Sequence, residues 1–84
     1  MKHIFFIFSL ILSFSVWANE VININDATQK ELESLKGVGP VIAERIVRYR
    51  EKHGKFYALK NLQQIKGISS NWVEKHKHQL ALSD

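Results

Sequence analysis

Residues 35–40 of this chain read Leu35-Lys36-Gly37-Val38-Gly39-Pro40. The two glycines let the backbone turn sharply and come close to a ligand. The proline suits the first position of a helix, where its missing N–H is not needed and its fixed φ is already helical. The stretch therefore predicts a tight hairpin that ends one short helix and begins the next, with Leu35 and Val38 fastening the turn to the core.

A hairpin of this kind also predicts a binding site for an anion. The first N–H groups of a helix have no partner inside the helix, and the helix dipole favours negative charge at the same end. We expect the amides from Gly37 to Gly39, together with those of Val41 and Ile42, to face outward. A phosphate oxygen fits such a site.

The chain contains this unit a second time, farther toward its C-terminus. Residues 32–39 align without a gap with residues 62–69, so the first hairpin has a counterpart in Ile65-Lys66-Gly67-Ile68-Ser69-Ser70. Farther along the chain, Arg45 corresponds to Lys75. Because apolar, glycine and charged positions all stay in register, we interpret the two halves as one structural unit used twice.

Helical signals predict four short helices, over about residues 28–35, 40–53, 59–65 and 70–80. The first begins with Thr28-Gln29-Lys30-Glu31, the pattern of a capping box. Pro40 opens the second helix and Gly54 stops it. No segment of the sequence has the alternation of a strand, so only helices are expected.

The predicted fold is all-α: a tandem helix-hairpin-helix domain over residues 19–84, with a first unit at about 28–53 and a second at about 59–81. A chain of 84 residues has room for at most one small domain. Between the units lies the aromatic pair of Lys55-Phe56-Tyr57. We expect this pair to fill the core where the units meet, and stacking on a nucleic-acid base is the alternative.

Residues 1–18 have the pattern of a secretory signal peptide. A short polar start, Met1-Lys2-His3, precedes an apolar run from Ile4 to Val16, and Val16 and Ala18 suit a signal peptidase. The run is too short to span a bilayer of roughly 30 Å comfortably. We predict cleavage after Ala18, which would export residues 19–84 without a membrane anchor. Retention of the segment as an anchor is the alternative.

The charge of the chain is concentrated around the hairpins. The whole chain carries 12 basic and 8 acidic residues, and loss of Lys2 with the signal peptide leaves 11 − 8 = +3. Between Lys36 and Lys66 there are eight basic residues and only two acidic residues, Glu44 and Glu51, which gives a local net charge of 8 − 2 = +6. A charge run is often only a solvated surface, but this one coincides with the predicted anion sites and so indicates a polyanionic partner.

The two hairpins and the residues around them resemble the helix-hairpin-helix domain of the ComEA type. The resemblance implies a tandem domain that binds double-stranded DNA without reading sequence, with each hairpin holding phosphates across the minor groove. Small exported members resemble the periplasmic DNA receptors of natural transformation, or competence. A periplasmic location, a role in DNA uptake and contacts with DNA-uptake machinery proteins are therefore implied as well. The likeness covers nearly all of the predicted exported chain, at residues 21–28, 31–32, 35–40, 43, 46, 49–50, 54, 56, 62 and 65–68.

The predicted DNA-binding residues lie in the two hairpins and in the helical turns that follow them. Backbone amides would hold the phosphates and side-chain cations would supply charge, with Arg48 and Lys77 as weaker candidates. Ser69 and Ser70 stand where the family usually has Gly-Pro, so we expect the second hairpin to be stiffer and to bind less tightly. Val41 stands where many relatives have a lysine. The full set is Lys36, Gly37, Val38, Gly39, Val41, Ile42, Arg45, Lys66, Gly67, Ile68, Ser69, Ser70 and Lys75.

Several classes of function are disfavoured by the sequence. Without cysteine, the chain has neither a disulfide nor a thiolate metal site. His76 and His78 lie two positions apart on a predicted helix and so point in different directions, which disfavours a shared metal ion. Helix-hairpin-helix DNA glycosylases couple the hairpin to a catalytic lysine or aspartate in a chain several times longer, with room for a flipped base. We expect no enzymatic activity, cofactor, metal or small-molecule substrate.

The main alternative is an adaptor that binds a protein partner in the periplasm and has little affinity for DNA. The apolar residues Val41, Ile42 and Trp72 would form its binding surface. Core packing is the simpler interpretation of Trp72, and a scattered surface residue is the simpler interpretation of Ile42. Salt-dependent binding to DNA of any sequence would distinguish the two functions.

Overall fold

The computed structural model describes residues 21–84, and the predicted signal peptide at residues 1–18 lies outside them. The predicted all-α, tandem helix-hairpin-helix architecture is confirmed. Among the described helices, none has both the length and the apolar character needed to cross a membrane. The elements in chain order are strand β1 (Ile22–Asn23), helix α1 (Gln29–Glu33), helix α2 (Pro40–His53), a 3-10 helix (Leu59–Gln64), helix α3 (Ser70–His76), a short 3-10 helix (Lys77–Gln79) and strand β2 (Leu80–Ala81).

The first unit begins at the predicted capping box. The Thr28 hydroxyl accepts the N–H of Glu31 at 3.1 Å, and the Glu31 carboxylate accepts the N–H of Thr28 at 2.8 Å, which satisfies a backbone donor at each end of the box. α1 ends at Glu33, sooner than predicted, and the Ser34 hydroxyl then donates to the Glu31 carbonyl at 2.6 Å. α2 has the predicted bounds, and Gly54 ends it with a φ of 87°.

The second unit differs in detail from the prediction. Its first helix, at Leu59–Gln64, is a 3-10 helix rather than an α-helix. Ala58 precedes it and offers no side-chain cap. A 3-10 helix rises about 2.0 Å per residue, so it spans more distance than an α-helix with the same number of residues. α3 ends at His76, sooner than the predicted Leu80, and a 3-10 turn carries the chain to Gln79.

The two ends of the described chain meet in a small sheet that the sequence did not predict. β1 and β2 are parallel, with Ile22 opposite Leu80 and Asn23 opposite Ala81. The Ile24 N–H extends the ladder by donating to the Ala81 carbonyl at 3.0 Å. Strands of two residues are too short to show an alternation of apolar and polar positions, so the hydrophobic pattern carries no signal for them. The pairing ties the start of the first unit to the end of the second.

One apolar core runs through both units. Phe56 is 2% exposed and stacks on Tyr49 with ring centroids 5.0 Å apart, so the first aromatic residue of the linker fills the core as predicted. The prediction was wrong for Tyr57, which is 85% exposed, because adjacent side chains outside a helix point to different sides. The buried residues are Ile24, Ala27, Leu32, Leu35, Val38, Ala43, Ile46, Phe56, Leu62, Ile65, Ile68, Val73 and Leu80.

The Asn25 side chain joins three segments of the chain. Its Nδ2 donates to the carbonyls of Phe56 and Leu82, at 3.0 and 2.9 Å, and its Oδ1 accepts the N–H of Phe56 at 2.7 Å. The linker between the units and the C-terminal segment are therefore both held to the N-terminal turn by one half-buried amide.

Candidate nucleic-acid interface

The two hairpins, hairpin 1 (residues 35–40) and hairpin 2 (residues 65–70), share one turn geometry. In each, the N–H of the fourth residue donates to the carbonyl of the first at 3.0 Å. The third residue is a glycine with a positive φ, 87° at Gly37 and 106° at Gly67. Other side chains are strained in that conformation, so the turn itself requires both glycines.

This turn occupies two of the amides that the sequence assigned to DNA. The N–H groups of Val38 and Ile68 donate inside their turns, and their side chains are buried in the core. The prediction that the amides of residues 37–39 face outward was therefore wrong at Val38, and Ile68, which was predicted to bind DNA, has its amide occupied in the same way. A donor that is already paired inside the protein is not available to a ligand. The amides of Val38 and Ile68 stabilise the turns instead of binding DNA.

Hairpin 1 leaves four backbone donors without a partner. Among residues 21–84, no hydrogen bond is made by the N–H groups of Gly37, Gly39, Val41 and Ile42. The last two belong to the first turn of α2, a helix of 14 residues whose dipole adds positive potential there. A Cβ on Gly39 would meet no atom within 4 Å. The donors thus border open space at the start of a helix, where an anionic oxygen fits.

Hairpin 2 is capped differently. Ser69 stands where hairpin 1 has Gly39, and its hydroxyl oxygen accepts the N–H of Trp72 at 3.1 Å. The equivalent N–H in hairpin 1 belongs to Ile42, and Gly39 has no side chain to accept it. Because the serine satisfies a donor that hairpin 1 leaves unpaired, there is a physical reason to expect weaker anion binding at hairpin 2.

The second helix of each unit packs on the hairpin of the other unit. A Cβ at Gly37 would lie 3.0 Å from Nε1 of Trp72 in α3, and a Cβ at Gly67 would lie 2.8 Å from Cδ1 of Ile42 in α2. Ile42 and Trp72 occupy equivalent positions of the repeat, so the same contact is made twice with exchanged partners. The two hairpins consequently lie close together, where α2 and α3 begin.

Sequence reasoning missed this use of Trp72 and Ile42. The Trp72 indole lies against hairpin 1, where Nε1 donates to the Lys36 carbonyl at 2.8 Å. Ile42 is half-buried against hairpin 2, so its interpretation as a scattered surface residue was wrong. The repeat did contain a signal, because both bulky residues occupy the same position three residues after the capping residue of their helix.

The four predicted cations are exposed, and the structure brings at least three of them to the hairpins. Lys36 and Lys66 lie in the turns themselves. Arg45 reaches from α2 to hairpin 2, where its Nη1 donates to the Lys66 carbonyl at 2.9 Å. Lys75, its counterpart in the repeat, is exposed on α3. Arg45 therefore contacts the protein backbone in addition to carrying charge.

The two weaker candidates each face a glutamate on the same helix or its continuation. Arg48 lies 3.4 Å from Glu44, and Lys77 lies 3.3 Å from Glu74. All four side chains are largely exposed, so these pairs contribute little to stability. The nearby carboxylates reduce the positive potential that either cation can offer to a phosphate.

The histidines of the second unit make local contacts. His76 stacks on Trp72 with ring centroids 4.5 Å apart, and its Nδ1 lies 2.8 Å from the Trp72 carbonyl. His78 is exposed on the following turn. In the part of the chain that the structure describes, no group of three or more His, Cys, Asp or Glu side chains is arranged to hold a metal ion.

Comparison with known proteins places these features in one family. The family model described as the helix-hairpin-helix motif matches residues 18–81, which is most of the chain. The chain is 39% identical over 62 residues to ComE operon protein 1 of Bacillus subtilis, and 41% identical over 63 residues to an uncharacterized protein of Haemophilus influenzae. It is also 38% identical over 64 residues to the endonuclease/exonuclease/phosphatase family domain-containing protein 1 of Homo sapiens.

The matched segment is a part of each relative. It covers 74%, 74% and 76% of this chain, but 30%, 56% and 11% of the three relatives respectively. The chain thus spans less than two thirds of the length of each. The family match includes both hairpins, so the chain is similar to these relatives in its two-hairpin unit.

Proposed function

This chain belongs to the helix-hairpin-helix family, of the ComEA type, and we propose that it binds double-stranded DNA through the phosphate backbone without reading sequence. One observation carries this proposal: two equivalent hairpins lie close together, and at hairpin 1 four backbone N–H groups have no partner within residues 21–84. Backbone N–H groups donate to phosphate oxygens, and phosphates carry no sequence information. Such a site accepts any duplex.

The arrangement of the hairpins suits the minor-groove side of a duplex. Each hairpin carries an exposed lysine, Lys36 or Lys66, and two adjacent hairpins can hold phosphates of the two strands that border one groove. Arg45 and Lys75 add charge, which strengthens binding by releasing counterions from the DNA. We propose no catalytic role, and no cofactor or small-molecule substrate.

We further propose that the protein acts in the periplasm, as a receptor that holds incoming DNA during natural transformation. The signal-peptide pattern of residues 1–18 and the ComEA-type family support this role. Contacts with proteins of the DNA-uptake machinery belong to the same proposal. The mass of the protein recovered from a periplasmic extract tests the location. Loss of residues 1–18 is expected, and recovery of the uncleaved chain in the membrane fraction would favour the anchor.

The proposed binding mode predicts salt dependence without sequence dependence. Unrelated duplexes of equal length should bind with similar affinity. The logarithm of the affinity should fall with the logarithm of the salt concentration at a slope of about −3.6, the value for about four neutralised phosphates. Fluorescence-anisotropy titrations of several duplexes at a series of salt concentrations measure both properties.

Other outcomes of these titrations would contradict the proposal. A slope near zero, or a strong preference for one duplex, is incompatible with backbone binding. Absence of binding even at low salt would favour an adaptor with a protein partner. The apolar surface available to such an adaptor is smaller than the sequence indicated. Ile42 and Trp72 are half-buried against the hairpins, and of its three apolar residues only Val41, which is 58% exposed, remains on the surface.

Gly39→Ser is predicted to weaken DNA binding without lowering thermal stability. The new hydroxyl would accept the N–H of Ile42, as Ser69 accepts that of Trp72, and its Cβ would enter the open space beside the helix start. We expect roughly a tenfold loss of affinity, from one hydrogen bond to a charged group. Serine is a slightly better helix cap than glycine, and the φ of −91° at Gly39 tolerates it. DNA titration and thermal unfolding followed by circular dichroism measure the two effects.

The reverse substitution in hairpin 2 is the matched control. Ser69→Gly removes the hydroxyl that caps Trp72 and gives hairpin 2 the same capping residue as hairpin 1. It should keep or raise the affinity, while stability falls by a few tenths of a kcal/mol. If Gly39→Ser bound DNA as tightly as the unsubstituted protein, the space beside the start of α2 would not be a phosphate site.

A further inference from the structure

The carbonyl of the second residue in each hairpin is held by a side chain from the other unit. Trp72 Nε1 donates to the Lys36 carbonyl at 2.8 Å, and Arg45 Nη1 donates to the Lys66 carbonyl at 2.9 Å. Lys36 and Lys66 occupy equivalent positions of the repeat. Both hairpins are therefore held at the same backbone atom.

Different side chains serve this one atom in the two units. In the repeat, Trp72 corresponds to Ile42, whose side chain has no N–H to donate. In hairpin 2 the donor comes instead from Arg45, about one helical turn farther along α2. Two unrelated side chains donate to the equivalent backbone oxygens. What the two hairpins share is therefore a carbonyl that accepts a side-chain hydrogen bond, and not a particular donor residue.

Holding the carbonyl fixes the direction of the next N–H. None of the peptide bonds described is cis, and in a trans peptide unit the C=O and the N–H point in opposite directions. With the Lys36 carbonyl directed at Trp72, the Gly37 N–H is directed away from α3. The Gly67 N–H is directed away from α2 for the same reason, and neither N–H has a partner among residues 21–84.

We propose that Trp72 and Arg45 are positioning residues for DNA binding, each of which orients the peptide that presents the glycine N–H of the opposite hairpin to a phosphate. A turn that contains glycine permits its central peptide to rotate, so without the side-chain donor this N–H is not held outward. The stacking of His76 on Trp72 steadies the indole at hairpin 1. The inference rests on the proposed DNA-binding function.

Two substitutions that leave the net charge unchanged test these roles. Trp72→Phe keeps an aromatic ring beside Gly37 and removes the N–H donor, and Arg45→Lys keeps the charge and removes the guanidinium fork. Each should weaken duplex affinity roughly three- to tenfold, the effect of one lost hydrogen bond, and should leave the salt slope unchanged. Tyr57→Phe, at an exposed position, and Arg50→Lys, which loses a guanidinium hydrogen bond to the Ile24 carbonyl instead, are the matched controls, and both should bind like the unsubstituted protein.

Amide NMR spectra of the same variants give a readout that needs no DNA. The Gly67 amide resonance should shift in Arg45→Lys, because the orienting contact is lost and no aromatic ring is exchanged. Unchanged affinity, or a fall in melting temperature with no change in the affinity of the folded protein, would overturn the inference. Unsubstituted protein that binds no duplex would instead overturn the proposed function, and the Gly67 shift would still show whether Arg45 orients hairpin 2.

Discussion

The double substitution Lys36→Glu with Lys66→Glu is expected to weaken duplex binding by about a hundredfold at about 0.1 M salt. Each phosphate contact that is lost removes about 0.9 from the salt slope, a factor of about eight at this salt concentration relative to 1 M. Two lost contacts give about sixtyfold, and the new carboxylates add repulsion. The slope should change from about −3.6 to about −1.8. Anisotropy titrations over a salt series measure both quantities.

A second double variant separates the hairpins from the overall charge. Lys52→Glu with Lys55→Glu makes the same change in net charge at exposed positions near the end of α2. That end lies about 18 Å along the helix from Pro40, so we expect less than about a threefold loss of affinity, since distant exposed charges are screened. Equal losses in the two double variants would show that net charge, and not the hairpins, determines DNA binding.

Asn25→Ala is expected to have the largest effect on stability. The substitution removes three hydrogen bonds and leaves the backbone groups of Phe56 and Leu82 without their side-chain partner. Half-buried polar groups that lose their partners cost about 2–3 kcal/mol in total. In a domain of this size that corresponds to a fall in Tm of about 10–20 °C. Thermal unfolding followed by circular dichroism measures the change.

Two further variants test this explanation. Asn25→Asp keeps the acceptor for the Phe56 N–H but places a carboxylate against two carbonyl oxygens, so it should destabilise the fold about as much as alanine does. Asn71→Ala is the same change at an exposed position in the first turn of α3, and surface substitutions of this kind stay within about 0.5 kcal/mol. A similar Tm for Asn25→Ala and Asn71→Ala would show that the Asn25 hydrogen bonds do not join the segments.

The sequence by itself determined the elements that depend on neighbouring residues. The turns at Gly37 and Gly67 require glycine because only glycine readily adopts their positive φ, and Pro40 begins a helix because its ring fixes φ. The capping box at Thr28 was readable for the same reason, since both of its hydrogen bonds join residues close together in the chain. The gapless alignment of residues 32–39 with residues 62–69 then showed that the unit is used twice.

Only the tertiary structure decided how the two units use each other. The contact of Trp72 with the Lys36 carbonyl joins residues 36 positions apart, and that of Arg45 with the Lys66 carbonyl joins residues 21 positions apart. The parallel pairing of β1 with β2 joins the two ends of the described chain. Periodicity and turn signals extend over one element, whereas these contacts arise from the docking of one unit on the other. The hairpin donors were therefore visible in the sequence, and the side chains that orient them became visible only in the fold.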